Sequence, residues 1–128
     1  MAQLPQIIKW GSVPYDQQDK RGQFEHCQWN YFLKDRENGV LAGYWEASEG
    51  HEDLGAAPFH QMLHVVEGKL YIQGEGEDEA RMAGPGDTVM AVVGRKMRLT
   101  VRQPVRAFFV CFPVDDIDRF DQNVKKEP

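Results

Sequence analysis

The chain has 128 residues, of which 41% are hydrophobic and 27% are charged, and its formal net charge is −5 at pH 7. This length is typical of one domain. The acidic balance argues against binding to nucleic acids or to anionic membranes, because both select proteins with a basic face.

The N-terminus shows no targeting pattern. Met1 to Trp10 contains a single lysine and no long apolar run, whereas a secretory signal peptide has a basic start followed by a run of about 7–15 apolar residues. No stretch of the chain approaches the roughly 20 apolar residues that cross a bilayer as a helix. The sequence therefore predicts a cytoplasmic protein.

The chain has two cysteines, Cys27 and Cys111, and both lie in apolar, strand-like surroundings. Cysteine readily behaves as a small hydrophobic residue, so we expect two buried free thiols. A disulfide between them stays open as an alternative.

The first half of the chain predicts two long strands. Ile7 to Trp10 is apolar and is expected to form an edge strand or a docked arm. From Phe24 to Leu33 the residue types alternate, and successive side chains of a strand point to opposite faces of its sheet. Asn38-Gly39 is a strong hairpin signal, and Val40 to Ala47 is the expected partner strand. The more apolar face of the first strand, which we expect to be buried, carries Glu25, Cys27, Trp29, Tyr31 and Leu33.

The second half predicts short strands separated by turns. Phe59 to Val66 and Lys69 to Gln73 flank Glu67-Gly68 and are expected to form a hairpin, because glycine supplies the positive φ that such turns need. Ser48 to Pro58 is the least regular part. Turn signals at intervals of about eight to twelve residues are typical of an all-β sandwich or barrel. The other predicted strands are Ala80–Ala83, Thr88–Val93, Met97–Val101 and Val105–Phe112.

Several of these motifs resemble those of the cupin superfamily. Gly68 matches the final glycine of the first cupin motif, and Gly86-Asp87 with Gly94 match the turn and the glycine of the second. The closer likeness is to small single-domain cupins related to ethanolamine-utilisation and ureidoglycine aminohydrolase proteins. Those proteins carry a Gly-x-Trp-Glu strand, here Gly43-Tyr44-Trp45-Glu46, and a Pro-Val-Arg strand, here Pro104-Val105-Arg106.

The resemblance implies an all-β fold of the cupin type, which is a double-stranded β-helix or jelly-roll barrel. We expect one cupin domain over residues 1–128, with its core at about 39–112, N-terminal strands and an arm at 1–38, and a tail at 113–128. Ile117, Phe120 and Val124 recur at roughly helical spacing, which predicts a short helix in that tail. Because one fold hosts many functions, the resemblance is informative about the fold and much less about the function.

The resemblance also places the positions of a cupin metal site, which needs imidazole and carboxylate ligands that converge inside the barrel. The first-motif glutamate falls on Gln61 and the second-motif histidine on Met97. A neutral amide and a thioether make a poor site for a hard divalent ion, so we expect no tightly held metal. An ion of Mn, Fe, Ni or Zn bound by His51, Asp53 and Gln61 stays open as the alternative. For the upstream histidine pair two alignments are open: Leu54 and Ala56, or His51 and Asp53.

His60 and His64 are a less suitable ligand pair. Four residues of a strand span about 13 Å. Two imidazoles on one ion need nitrogens within about 4 Å of each other. The cupin register turns Gln61, Leu63 and Val65 inward, so we expect both histidines to face away from the barrel, between sheets or at a subunit contact.

In that register the mouth of the barrel is an apolar cup with a few polar groups, which is the usual composition of a small-molecule site. Acid–base chemistry at this mouth would depend on His51 or Glu46. The residues expected to line the cup are Trp45, Gln61, Leu63, Arg95 and Met97.

The sequence supports three hypotheses for the function. The first is a cupin-fold small-molecule-binding protein, or an enzyme that acts on a small polar metabolite, with a degenerate metal motif. The second is a metal-dependent cupin isomerase, lyase or hydrolase with atypical ligands, and the third is a non-catalytic sensor or structural dimer. A homodimer is expected because the exposed edge strands of this topology need to be covered.

Overall fold

The computed structural model describes residues 5–123, which form two antiparallel β-sheets and one short 3₁₀ helix. In chain order the strands are β1 (Gln17–Gln18), β2 (Cys27–Trp29), β3 (Leu33–Asp35), β4 (Val40–Ala47), β5 (Gly50–Leu54), β6 (His60–Glu67), β7 (Leu70–Gly74), β8 (Arg81–Ala83), β9 (Thr88–Ala91), β10 (Met97–Val101) and β11 (Val105–Phe112). The larger sheet has the order β1-β2-β4-β11-β6-β9, with β3 also paired to β4, and the smaller sheet has the order β5-β10-β7-β8. The predicted all-β architecture is confirmed.

The core lies between the two sheets, where the inward side chains of both meet. β11 shows the expected period of two, because Val105, Ala107, Phe109 and Cys111 are buried while the residues between them face outward. In β6, Leu63 and Val65 are buried in the same way. The inward residues of the larger sheet are in register across three strands, since Cys111 is paired with both Leu41 and Gln61, and Phe109 with both Gly43 and Leu63.

The predicted hairpin between the strands on either side of Glu67-Gly68 is wrong. β6 pairs with β11 and β9, whereas β7 pairs with β10 and β8, so the turn carries the chain from one sheet to the other. Gly68 has a φ of +86°, and a Cβ there would lie 2.4 Å from the Pro104 carbonyl oxygen. The sequence signal for a tight turn was sound, but a turn signal does not specify the partner of each strand.

Ser48 to Pro58 is more regular than predicted, because Gly50–Leu54 forms β5 at the edge of the smaller sheet. The sequence of this strand, Gly-His-Glu-Asp-Leu, has little intrinsic β-propensity. Its pairing with the whole length of β10 supplies the structure that local preference does not. One face of this strand points toward the core, with Glu52 and Leu54 half-buried, and the sequence prediction of an irregular segment missed this alternation.

The predicted long strand from Phe24 to Leu33 is interrupted at Asn30, whose side chain is buried. Its Oδ1 accepts a hydrogen bond from the Tyr44 N–H at 3.0 Å, and its Nδ2 donates to the Val13 carbonyl at 3.0 Å. The expected hairpin through Asn38-Gly39 is present, with β3 and β4 as its strands.

The two ends of the described chain pack on the barrel. Near the N-terminus, Trp10 packs against Tyr44 on the outer face of the larger sheet, with 4.2 Å between ring centroids, as expected for a docked arm. Near the C-terminus, Ile117–Phe120 forms a single 3₁₀ turn, which is shorter than the predicted helix. Val124, the third residue of that prediction, lies outside the described residues. Within residues 5–123, no helix has the length and apolar character needed to cross a membrane.

Candidate functional site

A cavity of about 460 Å³ lies between the two sheets. Its walls come from β2, β4, β6 and β11 of the larger sheet and from β5 and β10 of the smaller one. The rest of its lining comes from β1 and the loop that follows it, from Tyr31 and Phe59 in two other loops, and from Phe120 and Gln122 in and after the 3₁₀ turn. The cavity is lined by Gln18, Asp19, Lys20, Arg21, Gln23, Cys27, Trp29, Tyr31, Leu41, Trp45, Glu52, Leu54, Phe59, Gln61, Leu63, Leu99, Phe109, Cys111, Phe120 and Gln122.

Aromatic side chains form much of the wall, and their neighbours fix their orientations. The indole Nε1 of Trp45 donates to the Cys27 Sγ at 3.2 Å, and Phe24 meets the same ring edge-on at 6.2 Å. The Tyr31 hydroxyl donates to the Phe120 carbonyl at 3.1 Å. Because these hydrogen bonds involve the polar edges of the rings, the wall is a preformed apolar surface.

Glu52 contributes a carboxyl group to this apolar cavity. It is paired with Leu99, which is buried, and residues directly opposite each other on paired strands share a face. Burial raises the pKa of the Glu52 carboxyl above its ordinary value, nearby Arg21 lowers it and nearby Asp19 raises it. A half-buried carboxyl group in a cleft with a perturbed pKa is a candidate functional group.

The loop of residues 19–24 brings a second polar group to the cavity. The Asp19 carboxylate accepts hydrogen bonds from the backbone N–H groups of Arg21 at 3.1 Å, Gln23 at 2.8 Å and Phe24 at 3.2 Å. The loop lies directly against β5, since a Cβ on Gly50 would be only 2.3 Å from the Gln23 carbonyl oxygen. The side-chain Oε1 of Gln23 is buried and has no hydrogen-bond partner within residues 5–123.

Both thiols line the same cavity and are unpaired, in agreement with the expectation of free cysteines. Burial raises the pKa of Cys27 and of Cys111 to about 12 in each case. A thiol acts as a nucleophile or as a metal ligand in its thiolate form. Neither group is therefore activated for this chemistry at neutral pH, and both serve as apolar wall.

The structure brings together three of the five residues expected to line the pocket. Trp45, Gln61 and Leu63 line the main cavity. Arg95 and Met97 line a separate cleft of about 500 Å³ beside β9. The loop that carries Arg95 follows β9 and lies away from the cavity between the sheets.

The two predicted catalytic candidates lie outside the main cavity. His51 is on the outward face of β5, opposite Thr100, and is exposed. Glu46 is on the outer face of β4, where its carboxylate accepts from Gln28 Nε2 at 2.7 Å and lies 3.4 Å from Arg106 Nε. Their neighbours in sequence, Glu52 and Trp45, are the ones that reach the cavity.

The residues at the cupin metal positions do not fit a metal ion. Leu54 and Gln61 line the cavity, and Met97 is paired with Leu54, but these side chains offer only one amide and one thioether as donors. The alternative set does not converge, because Gln61 faces inward whereas His51 and Asp53 share the exposed face of β5. Asp53 forms an ion pair with Arg98 at 2.7 Å. Residues 5–123 contain no cluster of three or more His, Cys, Asp or Glu suited to a metal.

His60 and His64 also face away from the cavity. The Nδ1 of His60 accepts from the Val93 N–H at 3.1 Å, and the Nδ1 of His64 is 2.9 Å from the Thr88 hydroxyl. Gln61 and Leu63 on the same strand line the cavity. The expected assignment of inward and outward faces along this strand agrees with these contacts.

No protein-family model and no curated protein matched the sequence. Several solved structures, in contrast, are similar to this protein. The EutQ protein of Clostridium difficile is similar with a TM-score of 0.71 at 21% identity, over 86% of this chain and 88% of that one. The Salmonella typhimurium LT2 protein described as ethanolamine utilization protein q has a TM-score of 0.70 at 19% identity, over 84% and 85%. The polyketide cyclase RemF of Streptomyces resistomycificus has a TM-score of 0.71 at 12% identity, over 84% and 79%.

The cupin domain of Schizosaccharomyces pombe Cnp3 is also similar, with a TM-score of 0.63 at 10% identity over 80% of this chain and 70% of that one, so the protein has the cupin fold. The likeness to ethanolamine-utilisation proteins that the sequence motifs indicated is confirmed at the level of structure. At these identities the likeness shows the fold alone, and the function has to be argued from this chain's own residues.

Proposed function

We propose that this protein binds a small organic molecule in the main cavity between its sheets, without a tightly held transition metal. The observation that carries the proposal is the composition of the cavity. Oriented aromatic walls surround a few polar groups, chiefly Glu52, Gln23 and Gln61, in a space of about 460 Å³. A concave, mostly apolar and preformed site with few converging polar groups is the usual form of a small-molecule site.

Blocking the cavity should remove ligand binding. In Leu54→Trp a larger side chain enters the cavity from β5, whereas His51→Trp places the same indole on the exposed face of the same strand. A ligand that binds the native state raises the melting temperature. In a thermal-shift screen of small metabolites, we expect compounds that stabilise the wild type to stabilise His51→Trp equally and Leu54→Trp not at all. Equal stabilisation of both variants would place the ligand elsewhere.

The metal-dependent alternative has a direct test. Leu54 has no donor atom, and the Gln61 amide and the Met97 thioether are weak ligands for a divalent ion. Elemental analysis of the purified protein should therefore find far less than one Mn, Fe, Ni or Zn per chain. Addition of divalent metal should leave the thermal-shift results unchanged. A stoichiometric metal would favour an enzyme that uses atypical ligands.

We also propose that the protein is a homodimer formed through the outer face of the larger sheet. On this face the rings of Phe32 and Phe108 are stacked with 6.2 Å between their centroids, and the rings of His60 and Phe112 have 5.7 Å between theirs. Two further apolar residues, Val66 and Met90, are each 49% exposed. Exposed apolar residues on one face of a sheet are typical of an interaction surface. We expect light scattering at micromolar concentration to give twice the chain mass, and a monomer mass would contradict the proposal.

A further inference from the structure

We propose that the cavity recognises a ligand that carries an amine, with Glu52 and Gln23 as the acceptors of its N–H groups and the aromatic wall as the surface for its apolar part. This inference rests on the function proposed above and adds the chemical class of the ligand. Three features of the described residues carry it: an unpaired carboxyl group, an unpaired amide oxygen and the electron-rich rings around them.

The first feature is the state of Glu52. Its side chain shares the inward face of β5 with Leu54, and the ion pairs of residues 5–123 do not include it. A carboxylate removed from water is stable only when a cation or hydrogen-bond donors compensate for the lost hydration. An ammonium group in the cavity supplies both the charge and the donors.

The second feature is the buried acceptor of Gln23. Its Oε1 has no hydrogen-bond partner within residues 5–123, although the loop around it is held firmly by the Asp19 carboxylate. A buried acceptor without a donor is unfavourable, because it has lost its hydrogen bonds to water and gained none in the protein. The Gln23 backbone carbonyl accepts from the His51 N–H at 3.3 Å, which keeps this loop beside the strand that carries Glu52. Both acceptors therefore belong to one side of the cavity.

The third feature is the aromatic wall. Trp29, Tyr31 and Trp45 line the cavity together with Phe59. The face of an aromatic ring is electron-rich and attracts a cation, most strongly when the ring is that of tryptophan. The same rings also bury the apolar part of a ligand, so one wall suits both halves of an apolar amine.

The cationic side chains near the cavity compensate this charge only in part: Arg21 lowers the pKa of the Glu52 carboxyl, but the ion pairs of residues 5–123 do not join the two groups. Lys20 and Arg21 line it as well, but both residues are exposed and their charges are screened by water. Asp19 adds a third charged group, and its carboxylate oxygens are already occupied by backbone N–H groups of its own loop. The Glu52 carboxyl therefore has only the solvent-screened charge of Arg21 nearby and no cation in direct contact among the ion pairs of residues 5–123.

A matched pair of probes tests the class of ligand. Phenethylamine and 3-phenylpropionate share a phenyl ring and a two-carbon chain, and they carry opposite charges at neutral pH. We expect isothermal titration at pH 7 to show millimolar or tighter binding of phenethylamine and at least tenfold weaker binding of 3-phenylpropionate. For a ligand of this size, millimolar affinity corresponds to an ordinary binding energy per atom.

Glu52→Gln separates recognition from folding. The variant keeps the shape of the side chain and removes its charge, so we expect at least a tenfold loss of affinity for phenethylamine. Burial raises the pKa of Glu52, so the native state favours the protonated form of this carboxyl over the ionised form. The protonated form therefore stabilises the fold at low pH, and this stabilisation is lost as the pH rises through the native-state pKa. At pH 7 the variant should therefore melt at a higher temperature than the ligand-free wild type. The exposed Glu49→Gln is the control, with affinity within twofold of wild type.

The outcomes distinguish this inference from the function on which it rests. Preferential binding of 3-phenylpropionate, or unchanged phenethylamine affinity in Glu52→Gln, would overturn the amine class and leave the small-molecule site in place. The amine class would also be overturned, and the small-molecule site kept, if neither probe binds while other library compounds stabilise the wild type but not Leu54→Trp. If no compound of any class depends on the cavity, both proposals fail.

Discussion

Gly43→Ala should lower the free energy of unfolding by about 3 kcal/mol or more, because the added methyl group has no space. A Cβ on Gly43 would lie 1.8 Å from the Asn30 carbonyl oxygen and 3.0 Å from Cζ of Phe109. The first of these atoms is backbone in the segment that leaves β2, so relief requires the chain itself to move. Urea denaturation followed by circular dichroism measures the change.

Gly55→Ala is the matched control for this substitution. No atom lies within 4 Å of the Cβ that would be added at Gly55. Alanine also restricts the unfolded chain, so the variant should be as stable as the wild type or slightly more stable. Equal destabilisation of the two variants, or a wild-type midpoint for Gly43→Ala, would show that β2 and β4 do not approach each other as described.

Asp121→Ala should lower the free energy of unfolding by about 2–3 kcal/mol at pH 7. Asp121 is buried at 2% exposure, and its carboxylate accepts hydrogen bonds from Lys34 Nζ, from Gln17 Nε2 at 2.9 Å and from the Asn123 N–H at 2.9 Å. The expected decrease in the free energy of unfolding is smaller than for a fully buried ion pair, because the Lys34 side chain is 30% exposed. Since Asp121 follows Phe120, which lines the cavity, the substitution should also weaken ligand binding.

The pH dependence of this effect has a definite sign. Burial alone would raise the pKa of Asp121, but the hydrogen bonds from Lys34, Asn123 and Gln17 outweigh it and hold that pKa below its ordinary value. A lowered native-state pKa stabilises the fold above the ordinary aspartate pKa of about 3.9, and this stabilisation is lost as the pH falls through the native-state pKa. The stabilities of the wild type and of Asp121→Ala should therefore converge in acid.

Asp118→Ala serves as the control for Asp121→Ala. Asp118 accepts from Arg36 Nε at 3.0 Å, but the two side chains are 43% and 56% exposed. An exposed ion pair contributes about 0–1 kcal/mol, so the control should be nearly neutral at pH 7. Equal losses in the two variants would contradict the assignment of Asp121 as the buried anchor of this segment.

The strands were predictable from sequence wherever local signals determine structure. The period of two in Val105–Phe112 and the Asn38-Gly39 turn are properties of neighbouring residues, and both gave the correct elements. Pairing across the turn at Gly68 depends on the twist and closure of the whole barrel, and there the hairpin prediction was wrong. Gly50–Leu54 becomes a strand only because β10 lies beside it.

The candidate site was predictable in part for the same reason. Gln61 and Leu63, which the sequence predicted to point inward, line the cavity, because the register of β6 follows from its hydrophobic alternation. Glu52 was missed because its strand was missed. In a strand over residues 51–54, Leu54 points inward, and Glu52, two residues before it, shares that inward face. Gln23 had no sequence signal, since its burial depends on how the Asp19 loop packs against β5.

The three tryptophans allow one measurement to test the central claim that the space between the sheets is the binding site. Trp29 and Trp45 line the cavity, whereas Trp10 packs on Tyr44 at the outer face of the larger sheet. The measurement is a ¹H–¹⁵N correlation spectrum of the indole N–H groups, recorded with and without the library compound that raises the melting temperature most. Binding in the cavity should shift the Trp29 and Trp45 signals and leave the Trp10 signal in place. A shift of the Trp10 signal alone, or no shift of either cavity indole at saturation, would contradict the account.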